Sequence, residues 1–230
     1  MYLLVCTLVP IVKDNLGDLA SSENYRAIAI GSLLLKLLDW VILLLEGEKL
    51  SVDQLQYGNQ AISSTTICTW TISTVVEYYN ARGRTIYSTA MDCSKAFDMV
   101  NWTELFKELK KKGVSPVYLR LLLFTYVHQY CDVRWNGSFS HRYPVCNGVR
   151  QGAVSSPIFF SIYVDKLIHL LRKAGIGCTI GGIYVGIVVY ADDIFLLCPS
   201  RAGLQSMVTT CEQFSIKHNL KFSTNPDPSK

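Results

Sequence analysis

Two adjacent carboxylates, Asp192 and Asp193, constrain this chain more than any other feature of its sequence. They close the tetrapeptide Tyr190-Ala191-Asp192-Asp193, between the apolar runs Ile183–Val189 and Ile194–Cys198. Both runs are rich in β-branched and bulky residues, so each predicts a strand, with the acidic pair at the connection of a β-hairpin. Neighbouring carboxylates repel each other, and a divalent cation relieves that repulsion. Asp is also common in ordinary turns, so the tetrapeptide alone leaves a metal site and a polar turn equally open.

The composition allows a folded core and sets few other limits. The chain has 230 residues, of which 50% are hydrophobic and 17% charged, with a formal net charge of +4. This size suits one large domain or two small ones, and the charge is compatible with a polyanionic partner without indicating one. The eight cysteines form no C-x-x-C pair and have no histidine at zinc-site spacing, which predicts reduced thiols in an intracellular protein.

The apolar segments predict neither secretion nor a membrane span. The first ten residues lack the basic region and the cleavage site of a signal peptide, and they predict an edge strand that ends at Pro10 within Met1–Val12. Lys36 and Asp39 interrupt the apolar run Ile28–Leu45, which disfavours a membrane helix.

Helices are expected to alternate with antiparallel hairpins, the pattern of an α+β fold. The strand Thr85–Met91 would deliver Asp92 at its C-terminal end. Ser32 is the expected N-cap of a helix that reaches Glu46. The broad apolar face of that helix would consist of Leu33, Leu34, Leu37, Leu38, Val41, Leu44 and Leu45. Further helices are predicted over Thr65–Arg82, Trp102–Lys112, Ser115–Gln129, Ile158–Ala174 and Ala202–Asn219.

Three segments carry the residues of a candidate active site: Met91–Asp98, Asn147–Pro157 and Tyr190–Asp193. In order and spacing they resemble the palm motifs of the reverse transcriptases of non-LTR retrotransposons. Three shorter segments are similar to the fingers motifs of that family: Asn24–Ile28, Leu35–Leu37 and Gln56–Gly58. The resemblance runs from about Leu8 to the C-terminus.

The resemblance implies an α+β right-hand polymerase, with an antiparallel palm sheet backed by helices, with fingers, and with the thumb absent. Residues 1–85 would be mostly fingers, and residues 86–112 would be palm with the first catalytic Asp. Residues 113–145 would form a helix and a hairpin between the palm motifs, and 146–230 the rest of the palm. Because the family's palm ends near the position of Lys230, we expect a truncated fragment of a longer polyprotein.

The implied activity is RNA-directed DNA synthesis, with an RNA template, a DNA primer and deoxynucleoside triphosphates as partners and no membrane. Nucleotidyl transfer uses two divalent ions about 4 Å apart, which clamp the attacking and leaving oxygens and take hard oxygen ligands. The resemblance implies two Mg²⁺ ions, or Mn²⁺, bridged by Asp92 and Asp192. Asp193 would be the accessory catalytic carboxylate, and the Cys93 carbonyl would complete one metal site. Asp98 would instead make a structural hydrogen bond or cap the helix that begins near Trp102.

The resemblance also implies which residues bind the nucleotide. Phe97 would pack beneath the incoming sugar and exclude a 2′-hydroxyl, with a plain core Phe as the alternative. Arg26 would grip the triphosphate bidentately, and Lys13 is a second candidate whose alternative is an exposed loop lysine. The remaining predicted nucleotide contacts are the backbone at Cys93, Lys95 and Ala96, the side chain of Gln151 beside the template base, and the backbone at Gly152.

Two departures from the family pattern leave alternatives open. The family has Phe and basic residues after Gln56–Gly58, where this chain has Asn59–Ile62, and it has Gly and Leu where this chain has Ala153 and Val154. One alternative is an inactive relic that acts as a nucleic-acid-binding or interaction module. Another is an RNA-dependent RNA polymerase, which Phe97 and Tyr190-Ala191 disfavour. Template specificity and oligomeric state are not predicted.

Overall fold

The computed structural model describes residues 4–60 and 63–222. The strands are β1 (Val5–Val12), β2 (Tyr25–Ile30), β3 (Tyr87–Asp92), β4 (Tyr130–Trp135), β5 (Ser138–Phe139), β6 (Tyr143–Pro144), β7 (Thr179–Ile180), β8 (Ile183–Tyr184), β9 (Ile187–Tyr190) and β10 (Asp193–Cys198). The helices are α1 (Leu33–Glu46), α2 (Thr65–Asn80), α3 (Trp102–Lys111), α4 (Pro116–Val127), α5 (Ser156–Ala174) and α6 (Arg201–Lys217).

The chain divides into two compact units, each made of two separate stretches of sequence. The first unit comprises Met1–Ser51 and Asn101–Phe159, and the second comprises Val52–Val100 and Phe160–Lys230. These units differ from the contiguous segments predicted from the sequence, and the assignment of those segments to fingers and palm stays a prediction. No helix within the described residues combines the length and the hydropathy that a membrane crossing requires.

In the first unit, β1 is a central strand. The sheet order is β2-β1-β4-β5, with β6 also paired to β4; β1 is antiparallel to β2 and parallel to β4. The prediction of an edge strand ending at Pro10 is therefore wrong, and residues 1–3 of that prediction lie outside the described residues. The register of β4 covers only Val5–Leu8, whereas that of β2 continues to Val12. Pro10, which has no N–H to donate, thus lies where β1 has a single neighbour, as prolines in sheets require.

Helix α1 has the predicted bounds but buries a different face. Ser32 caps it by accepting a 3.3 Å hydrogen bond from the Leu35 N–H, and the buried residues are Leu35, Asp39, Ile42 and Glu46. The predicted leucine-rich face instead lies outward, with Leu33 72% and Leu44 82% exposed.

Hydrogen bonds of two carboxylates explain why α1 turns Asp39 and Glu46 inward instead of its leucine-rich face. A Glu46 carboxylate oxygen accepts a hydrogen bond from the Ser115 N–H at 3.2 Å and pairs with Lys49. A carboxylate oxygen of Asp39 accepts from the Ser155 N–H at 3.4 Å. A buried N–H without a partner is costly, and α1 is apolar on nearly every side, so these polar contacts select which side faces inward.

In the second unit, β3, β10 and β9 form an antiparallel sheet in that order, and β7 and β8 form a separate hairpin. The predicted strand Ile183–Val189 is divided into β8 and β9 at Val185 and Gly186. A Cβ at Gly186 would lie 2.7 Å from the Tyr184 hydroxyl oxygen and 2.8 Å from the Gly177 Cα. The chain therefore bends where only a glycine fits. After this bend, β9 leads to the acidic tetrapeptide without β8.

Candidate active site

The acidic pair lies at the tip of the predicted hairpin. Tyr190 is the last residue of β9 and pairs with Asp193, the first residue of β10, so Ala191 and Asp192 form a two-residue turn. On the other edge of β10, Asp193 is the direct register partner of Asp92, the last residue of β3. Residues directly opposite each other in an antiparallel pair project from the same face. One end of one small sheet therefore gathers all three predicted metal-ligand carboxylates.

The turn has an unfavourable backbone at Ala191. Its φ is +54°, whereas Asp192 has no positive φ. A positive φ at the first of two turn residues is the pattern of a type II′ turn, which ordinarily places glycine there. An alanine in the left-handed region costs about 1 kcal/mol, so contacts around the turn must hold this conformation.

Cys93 connects the first carboxylate segment to the turn. Its N–H donates to the Asp192 carbonyl at 3.2 Å, and the next N–H, of Ser94, donates to the Lys221 carbonyl at 2.7 Å. Burial, followed by the negative charges of Asp192 and Asp92 and a smaller effect of Asp193, raises the pKa of the Cys93 thiol to about 12. The charges of all three carboxylates thus act on one thiol. Carboxylates are the hard oxygen ligands that Mg²⁺ and Mn²⁺ accept, so these residue types fit such ions, although the side-chain oxygens of the three do not all lie within 4.8 Å of one another.

Phe97 lies half-buried four residues beyond Cys93. Its ring stacks on the fully buried ring of Phe160, with centroids 5.1 Å apart and an interplanar angle of 21°. Between Cys93 and Phe97 in sequence, Lys95 has a left-handed φ of +51° and leads into a 3-10 helix, Ala96–Met99. Such a change of backbone conformation turns successive N–H groups toward one side, a geometry that binds anions.

Asp98 is exposed on that 3-10 helix, and its N–H donates to the Lys95 carbonyl at 2.9 Å. Of the two expectations for Asp98, the cap of α3 is wrong, and the structural hydrogen bond stays a prediction. Asn101 is the N-cap, and its side-chain oxygen accepts from the Glu104 N–H at 3.2 Å. The residue directly before a helix is placed to reach its free N–H groups, and a residue three positions earlier is not.

The other predicted nucleotide residues belong to the first unit. Arg26 is exposed on β2, and the ammonium of Lys13 donates to the Glu23 carbonyl at 2.8 Å. The Ala29 N–H of β2 donates to the Gln151 carbonyl at 2.7 Å. Gly152 has a φ of +106°, and a Cβ there would lie 3.0 Å from the Ala29 carbonyl oxygen. The loop containing Gln151 and Gly152 is therefore fixed to the strand that carries Arg26.

The family of this chain follows from comparison with known proteins. The reverse transcriptase (RNA-dependent DNA polymerase) family matches residues 11–225. The chain belongs to this family. It is 27% identical over 210 residues to the Pol polyprotein of the type-1 retrotransposable element R2 of Popillia japonica, covering 90% of this chain and 29% of that protein. It is 24% identical over 203 residues to the Pol polyprotein of the type-2 element R2DM of Drosophila melanogaster, covering 88% of this chain and 19% of that protein.

The relatives confirm the resemblance to reverse transcriptases of non-LTR retrotransposons, and this chain spans less than a third of either one's length. Solved structures confirm the fold. Apo telomerase of Candida tropicalis, truncated of its C-terminal domain, has a TM-score of 0.66 at 12% identity, covering 98% of this chain and 51% of that chain. Telomerase of Candida albicans with a fragment of telomeric RNA has a TM-score of 0.64 at 10% identity, covering 97% and 41%. Members of the reverse transcriptase family use divalent metal ions.

Two aromatic side chains, half-buried Trp102 and fully buried Tyr126, support the Gln151 loop of this reverse transcriptase domain. The Trp102 indole N–H donates to the Gly148 carbonyl at 2.7 Å, and its ring lies edge-on to that of Tyr126 at 5.6 Å. The buried Arg150 guanidinium lies 5.2 Å from the centroid of the same tyrosine. Sequence reasoning missed these contacts, because no local pattern links residues of α3 and α4 to a loop more than twenty residues later.

A second cluster of acidic side chains in the reverse transcriptase domain, around Asp53 and Asp165, is an ion-pair network. Within the described residues, the three side chains whose possible ligand atoms all lie within 4.8 Å of one another are Asp53, Asp165 and His169. Arg172 already binds both carboxylate oxygens of Asp53, one of them at 2.7 Å, and the Asp53 N–H donates to Asp165 at 2.8 Å. A guanidinium in this position repels a metal cation. The group therefore fixes the segment around Asp53 to α5.

We expect Arg172→Met to lower the free energy of unfolding by about 2 kcal/mol at pH 7, between the values typical of exposed and buried ion pairs. The Asp53 side chain is 6% exposed and would keep a charge without its partner. Burial tends to raise the pKa of Asp53, but hydrogen bonds from Arg172 and the Leu55 N–H outweigh it and hold the pKa below its ordinary value. The pair therefore contributes fully above the ordinary pKa of Asp, and its contribution is lost as pH falls through the lowered value.

Urea unfolding from pH 7 downward measures this effect. The difference between wild type and Arg172→Met should shrink in acid. Lys173→Met, which removes the neighbouring exposed charge on the same helix, is the control and should change stability by less than about 0.5 kcal/mol. Equal losses in the two variants would show that the Asp53 pair has no special contribution.

Proposed function

We propose that this domain catalyses RNA-directed DNA synthesis by two-metal nucleotidyl transfer at Asp92, Asp192 and Asp193. The observation that supports it best is the register pairing of Asp92 with Asp193, beside the turn that carries Asp192. A two-metal site needs several hard oxygen ligands at one point. Here β3 and the β9–β10 hairpin supply them from positions a hundred residues apart.

In the proposed reaction the primer 3′-oxygen attacks the α-phosphorus of a deoxynucleoside triphosphate. A new P–O bond forms, the bond between the α-phosphorus and the oxygen bridging to the β-phosphate breaks, and pyrophosphate leaves. The hydroxyl proton passes to solvent. Asp92 and Asp192, with Asp193 and the Cys93 carbonyl, would hold two Mg²⁺ or Mn²⁺ ions, which stabilise the charge on the attacking and leaving oxygens.

The nucleotide roles implied by the resemblance remain proposals, and several contacts favour them. The left-handed Lys95 and the N–H groups that follow suit a triphosphate, and Phe97 offers a wall made rigid by Phe160. We assign Arg26, with Lys13 as a second basic side chain, to phosphate oxygens. Gln151 and Gly152 are assigned to the nucleotide and the template base. The partners would be an RNA template and a DNA primer, inside the cell, where all eight cysteines can stay free thiols.

Primer extension tests the proposal. The protein is incubated with a labelled DNA primer on an RNA or a DNA template, with deoxyribonucleotides or ribonucleotides and with Mg²⁺ or Mn²⁺. We expect single-nucleotide addition on RNA with deoxyribonucleotides, lost on chelation of the metal. Template-primer binding without any addition under these conditions would favour the inactive-module alternative. Preferential ribonucleotide addition would favour an RNA-dependent RNA polymerase.

A further inference from the structure

We propose that Gln56 is the positioning residue of the catalytic turn: its buried amide holds Ala191 in the conformation that places Asp192 and Asp193. The inference rests on the proposed function, because it concerns the same carboxylates. It gives the segment Gln56–Gly58, which resembles a fingers motif, a role at the carboxylate turn.

The segment Leu55–Gly58 runs beside β9, within the second unit. The Val189 N–H donates to the Leu55 carbonyl at 2.9 Å, and the Tyr57 N–H donates to the Val189 carbonyl at 2.7 Å. These bonds give Gln56 a parallel bridge to Val189. The segment therefore accompanies β9 toward the acidic turn like a short additional strand.

The Gln56 side chain ends on the turn itself. It is fully buried, and its Oε1 accepts hydrogen bonds from the Gly58 N–H at 2.9 Å and from the Ala191 N–H at 3.2 Å. Two N–H donors meet at this atom, so it must be the oxygen and not the amide nitrogen. The bond from the Ala191 N–H is partly buried, and an N–H that loses its acceptor away from water costs up to about 1–3 kcal/mol. The amide thus favours the turn conformation that presents the Ala191 N–H to it.

Gly58 closes the other side of the same contact. A Cβ at Gly58 would lie 2.3 Å from the Ala191 nitrogen and 2.8 Å from its Cα. Only a residue without a side chain allows the two backbones to approach this closely. Gln56 and Gly58 together enclose Ala191.

The enclosure matters because Ala191 is the strained residue of the turn. Its φ of +54° is a conformation that alanine leaves when nothing holds it. The next two residues are Asp192 and Asp193, so a change at Ala191 redirects both carboxylates. Misplacement of reacting groups by about 1 Å can cost a hundredfold in rate. The Gln56 amide binds the backbone of Ala191, so Gln56 acts on the carboxylates through the turn.

Gln56→Met tests the inference in the full chain, because methionine keeps the length of the side chain and removes the acceptor. We expect faster amide hydrogen exchange at Ala191. We also expect a rise of about tenfold in the Mg²⁺ concentration for half-maximal single-nucleotide addition, and a fall in rate of between about ten- and a hundredfold. Template-primer affinity should stay within about twofold of wild type, because the change leaves the phosphate-binding side chains intact.

Two further variants separate positioning from general stability. Gln60→Met is the matched control, since the Gln60 amide donates to the backbone carbonyls of Asp53 and Gln56 and not to the turn. It should leave Ala191 exchange and the Mg²⁺ requirement unchanged. Ala191→Gly in the Gln56→Met background should recover most of the lost rate, because glycine adopts a positive φ without the strain of alanine. If Gln56→Met does not fold, Gln56→Asn keeps the amide one methylene short of the turn and should give the same losses.

The outcomes are distinct. Unchanged Ala191 exchange in Gln56→Met, or an unchanged Mg²⁺ requirement beside an active wild type, would overturn the positioning role alone. Equal losses in Gln60→Met would overturn it too. An inactive wild type would overturn the proposed function and, with it, the catalytic part of the inference, while Ala191 exchange would still report whether Gln56 holds the turn.

Discussion

Asp92→Asn is expected to slow single-nucleotide addition by about a thousandfold. The amide removes one negative charge and one hard oxygen ligand from the proposed metal site. Metal stabilisation of the transition state contributes several kcal/mol, and each 1.36 kcal/mol corresponds to a tenfold change in rate. The two side chains have nearly the same shape, so the fold should persist. Asp192→Asn should have a similar effect.

Asp98→Asn is the matched control. It makes the same chemical change six residues later, at an exposed position on the 3-10 helix that follows β3. It should leave the rate within about twofold of wild type, because it leaves the proposed metal ligands unchanged. Single-turnover extension over a range of Mg²⁺ concentrations, with melting temperatures for all variants, measures the contrast. Wild-type rates in Asp92→Asn would refute the metal-site assignment.

Phe97→Ala is expected to lower discrimination against ribonucleotides by between about ten- and a hundredfold. If the ring lies beneath the incoming sugar, a 2′-hydroxyl creates a steric clash, and forcing extra atoms into a packed site costs about 1–3 kcal/mol. Stacking on Phe160 makes the ring a rigid wall. Removing it should admit the hydroxyl, while deoxyribonucleotide addition retains the metal chemistry.

Phe97→Tyr keeps the ring and serves as the control, with discrimination close to wild type. The measurement is the ratio of kcat/KM for a deoxyribonucleotide to that for the matching ribonucleotide, in each variant at a temperature where both are folded. Phe97→Ala should also lower the melting temperature, since a half-buried ring contact is lost. A lower melting temperature with an unchanged ratio would show that Phe97 is only a packing residue.

The fold class and the acidic hairpin could be predicted because both rest on local patterns. One apolar run before Asp192 and Asp193 and another after them predict two strands joined by a hairpin, without reference to the rest of the chain. Asp92 comes directly after another strand that the sequence predicts. The match to the reverse transcriptase family over residues 11–225 agrees with these patterns.

The buried face of α1 could not be predicted from its periodicity. Nearly every side of the helix is apolar, so a pattern of leucines could not distinguish inside from outside. The choice depends on Glu46 and Asp39, which reach the N–H groups of Ser115 and Ser155. Those partners are 69 and 116 residues away along the chain, and only the tertiary structure brings them together.

By itself, the sequence determined that Asp192 and Asp193 end a hairpin and that Asp92 ends a strand, because a hairpin tip and a strand end are local features with local signals. Only the tertiary structure decided which distant residues lie against the turn. Gln56 looked like part of a remote motif, yet its amide lies on Ala191, 135 residues later in the chain. The physical reason is that a hydrogen bond or a close backbone approach between distant segments leaves no periodicity in either one. Such a contact exists only after the two segments have packed together.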